Sequence, residues 1–308
     1  MRGIFKNRYG TMRSGWIILI CMALYYVLQD AVSNGVMWLL RQIMVQTGDL
    51  NPVTGESSPL VDWLNNTALP IGFQILLEII TIGLVLAAWK IMKQPWKDLG
   101  LSSFGGRFKK DGLAGLALGF FNCTIIFLIL LITGNAVVSS FKLHFSPKIC
   151  WWIFTFILVG IGEEILNRGL IMSILRRTNN VYLIMLVPSI IFGLIHLMNP
   201  NVTFLSVMNI ILVGIVFSFM YYKSGNLWMC MGYHITWNIF QSTIYGMPVS
   251  GMNVPAALST GFPLDNLLNG GAFGIEGGIL TTIVNVLTFF FVRYYYRSSK
   301  YQFLPQTD

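Results

Sequence analysis

The chain has 308 residues, of which 55% are hydrophobic and 10% are charged, with a mean hydropathy of +0.67. An ordinary soluble domain carries about a quarter charged residues, so this composition excludes one and describes a polytopic membrane protein. The net charge of +8 is no nucleic-acid footprint, because its Lys and Arg gather at the ends of apolar runs.

A helix crosses the bilayer with about 20 mostly apolar residues, and by that measure the chain holds about eight spans. They fall near 14–32, 70–92, 111–133, 149–175, 181–198, 203–222, 226–245 and 274–296. Arg2, Lys6, Arg8 and Arg13 precede the first, as in a signal peptide, but Gln29-Asp30-Ala31-Val32-Ser33-Asn34 follows it without a small-x-small cleavage pattern. An uncleaved first span is expected. Gly35–Gln46 either lies along the interface or extends that helix, and 246–273, rich in Gly, Pro and Asn, reads as an irregular loop. No internal repeat or separate soluble domain is visible, so the expected fold is all-α: one transmembrane domain over 1–308 with its motif-bearing core at about 111–296.

Charge sets the orientation. With a cytoplasmic N-terminus, the N-terminal basic group, Lys90 to Lys110, Arg176, Arg177, Lys223, Arg293, Arg297 and Lys300 all face inward. Only Arg41, Lys142 and Lys148 face outward, which favours this register and puts both termini in the cytoplasm. Trp89, Trp96, Trp151, Trp152 and Tyr294-Tyr295-Tyr296 stand where interfacial aromatic belts belong. Cys21, Cys123, Cys150 and Cys230 are scattered, with neither CxxC spacing nor a disulfide framework.

One stretch breaks the apolar pattern: Gly162-Glu163-Glu164-Ile165-Leu166-Asn167-Arg168, inside the fourth span. At roughly 2.5–3.5 kcal/mol per ionisable group, its two carboxylates and arginine cost on the order of 8–10 kcal/mol in hydrocarbon. Pairing, a water-filled cavity or chemistry must offset that. Glu164 and Arg168 are four apart, with the acid N-terminal, and can pair. Glu163 points about 100° away and is left to face a polar centre. The partners available are His196, four residues after Phe192 in the fifth span, and His234 with Asn238, which share a helix face in the seventh. Other polar residues take plainer readings. Glu78 and Gln74 are structural or unassigned, Glu276 is stabilised by a helix N-terminus, and His144 is solvated in an outer loop.

EExxxR at Glu163 to Arg168, FxxxH at Phe192 to His196 and HxxxN at His234 to Asn238, in that order, resemble the CAAX protease and bacteriocin-processing (CPBP, or ABI) family. That family includes the type II CAAX prenyl endopeptidases, which are intramembrane glutamic proteases. The flanking Trp96–Leu101, Gly225–Trp228 and Gly270–Gly278 stretches are similar too, so the resemblance covers most of the chain. It implies that Glu163 with His196 activates water and that His234 with Asn238 stabilises the oxyanion. Glu164, Arg168 and Phe192 would support the site.

The chemistry suits those residue types. A carboxylate in a low-dielectric bundle is a stronger base, an imidazole relays protons, and amide and ring N–H groups donate to a developing oxyanion. The expected site uses no cofactor. Zinc held by two His and a Glu is the alternative, but the HExxH helix is absent. Cys230, one turn before His234, is the only thiol near the motifs, and no Ser-His-Asp or Cys-His pattern supports a covalent nucleophile.

The expected activity is intramembrane hydrolysis of a peptide or lipid-anchored protein in a bacterial plasma membrane, with the bilayer as the other partner, no nucleic acid and the oligomeric state open. The competing readings are a bacteriocin self-immunity protein that binds without cutting and a proton-coupled transporter using the Glu and His as a relay. One geometric demand remains. With straight spans, His196 lies near the outer end of the fifth, His234 in the inner half of the seventh and Glu163 near mid-depth. Their meeting requires a later start, a tilt or a break, for which Pro188 is a place.

Overall fold

The computed structural model describes residues 4–6, 10–51, 56–64, 69–140 and 146–304. His144 lies outside them. Two compact units are distinguished, residues 1–88 and 89–308.

The first unit holds α1 (Ser14–Gln46), the short α2 (Pro59–Trp63) and most of α3 (Leu69–Ile91). α1 runs unbroken for 33 residues, so Gly35–Gln46 extends the first helix rather than forming a separate interfacial piece. Gln29 Nε2 donates to Thr81 Oγ1 at 3.2 Å, and Gln74 Nε2 to Glu78 Oε1 at 3.1 Å. Both α3 residues left unassigned above therefore fall in one local polar pair.

The second unit contains α4 (Gly106–Ile132), α5 (Pro147–Thr178), α6 (Val181–Met198), α7 (Phe204–Ser224), α8 (Trp228–Asn238, continued by Ile239–Ile244) and α9 (Ile279–Tyr295). Among the described residues, α1, α3, α4, α5, α6 and α7 are the 6 helices long and apolar enough to cross a membrane. The chain is an integral membrane protein. The expected seventh and eighth spans are both helical but shorter. At 17 residues α9 measures roughly 26 Å, less than the ~30 Å hydrocarbon core. The helical architecture carries in addition an antiparallel ribbon pairing β1 (Val137–Ser140) with β2 (Ser259–Gly261). The remainder of 246–278 is largely irregular, as its Gly and Pro content requires.

Close backbone approach, rather than large apolar side chains, joins the central helices. Along α4, a Cβ placed on Gly115 would lie 2.1 Å from Met229 O, and one on Gly119 would lie 2.2 Å from Thr236 Oγ1 and 2.3 Å from Tyr233 O. Gly232 of α8 faces back, with Gly112 O at 2.7 Å. Thr236 Oγ1 then reaches across to Leu116 O at 2.9 Å. Small residues at such a seam give two helices in lipid their van der Waals contact. Gly119→Val is expected to destabilise the protein by about 1–3 kcal/mol or more, because backbone and not a pliable side chain must give way. Thermal unfolding in detergent micelles reads this as a lowered Tm, and an unchanged Tm would contradict the seam.

The flanking stretches dock on one another. Leu227 N donates to Gly100 O at 3.1 Å and Trp228 Nε1 to Ser102 O at 3.1 Å. Asp98 O accepts from Ser173 Oγ of α5 and Tyr221 OH of α7, both at 2.8 Å. The 96–101 stretch thereby ties α5, α7 and the start of α8 together. Trp96, Trp151 and Tyr294 are exposed as a lipid-facing belt requires, whereas Trp89, Trp152 and Tyr296 are buried inside the unit. Trp89 Nε1 donates to Pro95 O at 3.1 Å, which turns its ring inward.

Candidate active site

α5 is α-helical through Glu164 and then winds as a π-helix over Ile165–Met172, all of it buried. α8 does the same, changing at Ile239 directly after Asn238. π-helical turns inside α-helices are rare and concentrate at functional sites. Here the first begins directly after the Glu163-Glu164 pair, inside EExxxR, and the second directly after Asn238 closes HxxxN.

Glu164 and Arg168 are both fully buried, and Arg168 Nη1 meets Glu164 Oε1 at 3.0 Å. Arg168 Nη2 donates to Gly214 O of α7 at 3.1 Å, while its guanidinium lies 4.7 Å from the Phe192 ring centre and 5.2 Å from that of Phe217. Phe192 thus packs on the cation from α6. This geometry is the i,i+4 ion pair expected, with two aromatic faces added.

Glu164 also holds His234. His234 Nδ1 lies 3.1 Å from Glu164 Oε1. An ionised carboxylate can only accept, so Nδ1 carries the proton and the tautomer is set from behind. On the other ring nitrogen, His234 Nε2 stands 3.7 Å from Glu163 Oε2, an oxygen with no hydrogen-bond partner among the described residues. Asn167 Nδ2 donates to Glu163 O at 2.9 Å. The two adjacent glutamates therefore reach opposite nitrogens of one imidazole, whereas the expected division left Glu164 to Arg168 and only Glu163 to the histidines.

His196 sits at the end of α6, and its Nδ1 donates to Phe192 O at 2.7 Å, which leaves Nε2 as its second ring nitrogen. α6 passes through Pro188 as one helix, so no break occurs there. Nevertheless His196, His234 and Asn238 line one partly open cavity, together with Phe192, Phe217 and Trp237. The Asn238 side-chain amide is buried and engaged by no protein hydrogen bond among the described residues. Glu163 borders the cavity through His234 rather than lining it, and no hydrogen bond or ion pair joins Glu163 to His196.

Among the cavity residues that the sequence reading missed are Glu276 and Ser250. Glu276 does not begin α9. It sits in a short turn, Ile275–Gly277, ahead of it, and its carboxylate accepts from Ser250 N at 2.5 Å. The glycine-rich run around it was the only signal, and it predicts a loop without saying where the loop folds. Among the described residues, no group of three or more His, Cys, Asp or Glu is gathered in a metal-binding arrangement.

With the geometry in place, comparison with known families is informative. Residues 144–240 match the type II CAAX prenyl endopeptidase Rce1-like family. The matched segment contains Glu163, Glu164, Arg168, Phe192, His196, His234 and Asn238, and it agrees with the CPBP resemblance of the motifs. Glu276 lies beyond it. No curated protein and no solved structure matches the chain. The Rce1-like segment supports a CAAX-type intramembrane protease in general terms.

Proposed function

We propose that this Rce1-like protein is an intramembrane endopeptidase that hydrolyses a peptide bond of a membrane-associated peptide or lipid-anchored protein. The observation that carries the reading is His234, held between Glu164 on Nδ1 and Glu163 near Nε2 and lining the cavity. Glu163 and His234 together take a proton from water, and Glu164 fixes the ring. Asn238, on the cavity wall, supplies an N–H donor for the oxyanion, and His196, whose Nδ1–H is committed to Phe192 O, adds a second from Nε2 in its imidazolium form. This pairs Glu163 with His234, where the family resemblance pairs it with His196; the 3.7 Å approach supports the exchange. The placement is a bacterial plasma membrane with both termini in the cytoplasm, supported by the distribution of Lys and Arg.

The test compares cells expressing the wild type with cells expressing Glu163→Gln, using mass spectrometry of released peptides. Peptides present only with the wild type are expected, and their ends give the cleavage sequence. Identical profiles, with any protection against a bacteriocin retained by the variant, would replace hydrolysis with simple binding.

A further inference from the structure

α3 ends in a tight corner. Lys93 takes the left-handed conformation at φ +53°, Gln94 N donates back to Trp89 O at 3.4 Å, and Pro95 cannot continue the helix. The chain then makes one short helical turn, Trp96–Leu99, closed by Gly100 at φ +83°. Between this corner and the last turn of α5 lies an open hollow. Trp89, Gln94 and Lys97 bound it on one side and Ser173, Arg176 and Arg177 on the other.

Charge in the hollow is not balanced from within. Lys97, Arg176 and Arg177 share it with one carboxylate, that of Asp98. Arg176 Nη1 reaches Asp98 Oδ1 at 3.5 Å, and its guanidinium lies 5.3 Å from the Phe303 ring centre. Lys97 and Arg177 are exposed and form no ion pair among the described residues. The neighbouring chain widens the excess, with six Lys or Arg and one Asp from Lys90 to Lys110. The neutral donors are already used, Gln94 Nε2 on Met92 O at 3.0 Å and Ser173 Oγ on Asp98 O at 2.8 Å. What the hollow offers a ligand is therefore positive charge.

Its rim places it at the depth of lipid headgroups. Ile91, the last residue of a membrane span, and Trp96 are both exposed, each within a few residues of the unpaired Lys97. Apolar and indole surface beside cations suits the level where acyl chains meet phosphates, whereas a soluble anion needs the cations alone. The positive-inside rule asks for charge at span ends but for no concavity. Here the ends of α3 and α5 fold that charge into one.

We propose that this hollow binds the phosphodiester of an anionic phospholipid, with Lys97 and Arg177 as its cations and Arg176, steadied by Asp98, as the third. Ser173 follows directly on the π-helical stretch Ile165–Met172, so a bound lipid braces the end of the helix that carries Glu163 and Glu164. The inference does not rest on the hydrolytic reading. Its test titrates the purified protein in detergent micelles with phosphatidylglycerol or phosphatidylcholine and counts bound lipid by mass spectrometry of the intact protein. Phosphatidylglycerol should bind about tenfold or more tightly, at roughly fivefold for each Lys or Arg that meets the headgroup. Lys97→Gln combined with Arg177→Gln should lose about tenfold of that affinity. Lys109→Gln combined with Lys110→Gln removes the same charge from exposed positions of α4 outside the hollow and should keep it. Equal binding of the two lipids by the wild type overturns the proposal, as do equal losses in the two double variants, which would mean diffuse surface charge. Displacement of phosphatidylglycerol by inorganic phosphate at the lipid's own concentration overturns it in favour of a soluble anion. The lipid comparison and the phosphate competition need no variant, so they decide even if a double variant fails to fold. Peptide release enters none of these readouts, so the protease reading and the lipid site fail separately.

Discussion

His234→Ala is expected to reduce peptide release by about 10³-fold or more, the range lost when a positioned acid-base group is removed. His234 alone connects both glutamates to the cavity. Its Nδ1 is 3.1 Å from Glu164 Oε1, its Nε2 is 3.7 Å from Glu163 Oε2, and its ring forms part of the wall. Without the ring, Glu163 still holds a carboxylate but has no partner across which to move a proton. The same argument fixes the double variant. Groups that act as a unit are strongly non-additive, so Glu163→Gln combined with His234→Ala should be no slower than the slower single change. Losses that multiply would show that the two act separately and would return Glu163 to a partnership with His196. Asn238→Ala removes one oxyanion donor and should cost less, about 10²-fold. Initial rates of the released peptide in reconstituted vesicles, compared across the four variants and the wild type, decide all three points.

The parts of this site visible in the sequence are those that helix periodicity controls. Glu164 and Arg168 stand four apart, and the pair forms at 3.0 Å; His234 and Asn238 share a face, and both line the cavity. The 100° between adjacent helical residues separates the two carboxylates but does not give them separate partners, because Glu164 holds His234 as well as Arg168 and Glu163 approaches the same ring. Irregular backbone was illegible for a physical reason. Ile165–Met172 and Ile239–Ile244 have the apolar composition of any α-helix, and nothing in it marks a π turn. β1 and β2 are too short to carry an alternation, and their pairing spans more than a hundred residues. Glu276 was read as a helix-start carboxylate because the glycines around it announce a turn and nothing more. Its place depends on Ser250 and Asn209, both distant in sequence and neither bearing a motif. The seating of α6 against α7 and of α8 against α5 was likewise a matter of packing. A Cβ on Gly193 of α6 would stand 2.5 Å from Ile211 Cγ1, and one on Gly160 of α5 would stand 2.6 Å from Ile235 Cγ1. Such contacts seat His196 and His234 around one space without the expected break at Pro188.

Arg168→Leu is expected to destabilise the fold by about 3–5 kcal/mol, the cost of leaving one member of a buried ion pair without its partner. Glu164 would keep its negative charge in a fully buried position with only His234 to offset it. Arg168→Lys should recover only part of the loss. The guanidinium contacts Glu164 through Nη1 and Gly214 O through Nη2 while lying over the rings of Phe192 and Phe217, and an ammonium has neither the fork nor the plane. The pair itself is not ideally solvated, since Arg168 Nε and Glu164 Oε2 have no hydrogen-bond partner. A buried pair with unmet polar atoms is weak evidence of net stabilisation, because desolvating both ions offsets most of their attraction. Replacing both residues with apolar ones, as in Glu164→Leu with Arg168→Met, should therefore restore much of the stability lost by Arg168→Leu. It should not restore peptide release, because His234 would have lost the carboxylate that sets its tautomer. Unfolding of the purified variants in micelles, paired with their rates in vesicles, separates the two quantities. A double variant as unstable as Arg168→Leu would mean that the ion pair holds α5 against α7 by its own strength. Recovered stability without recovered rate would place the pair where the geometry does, as a buried clamp whose output is the orientation of one histidine.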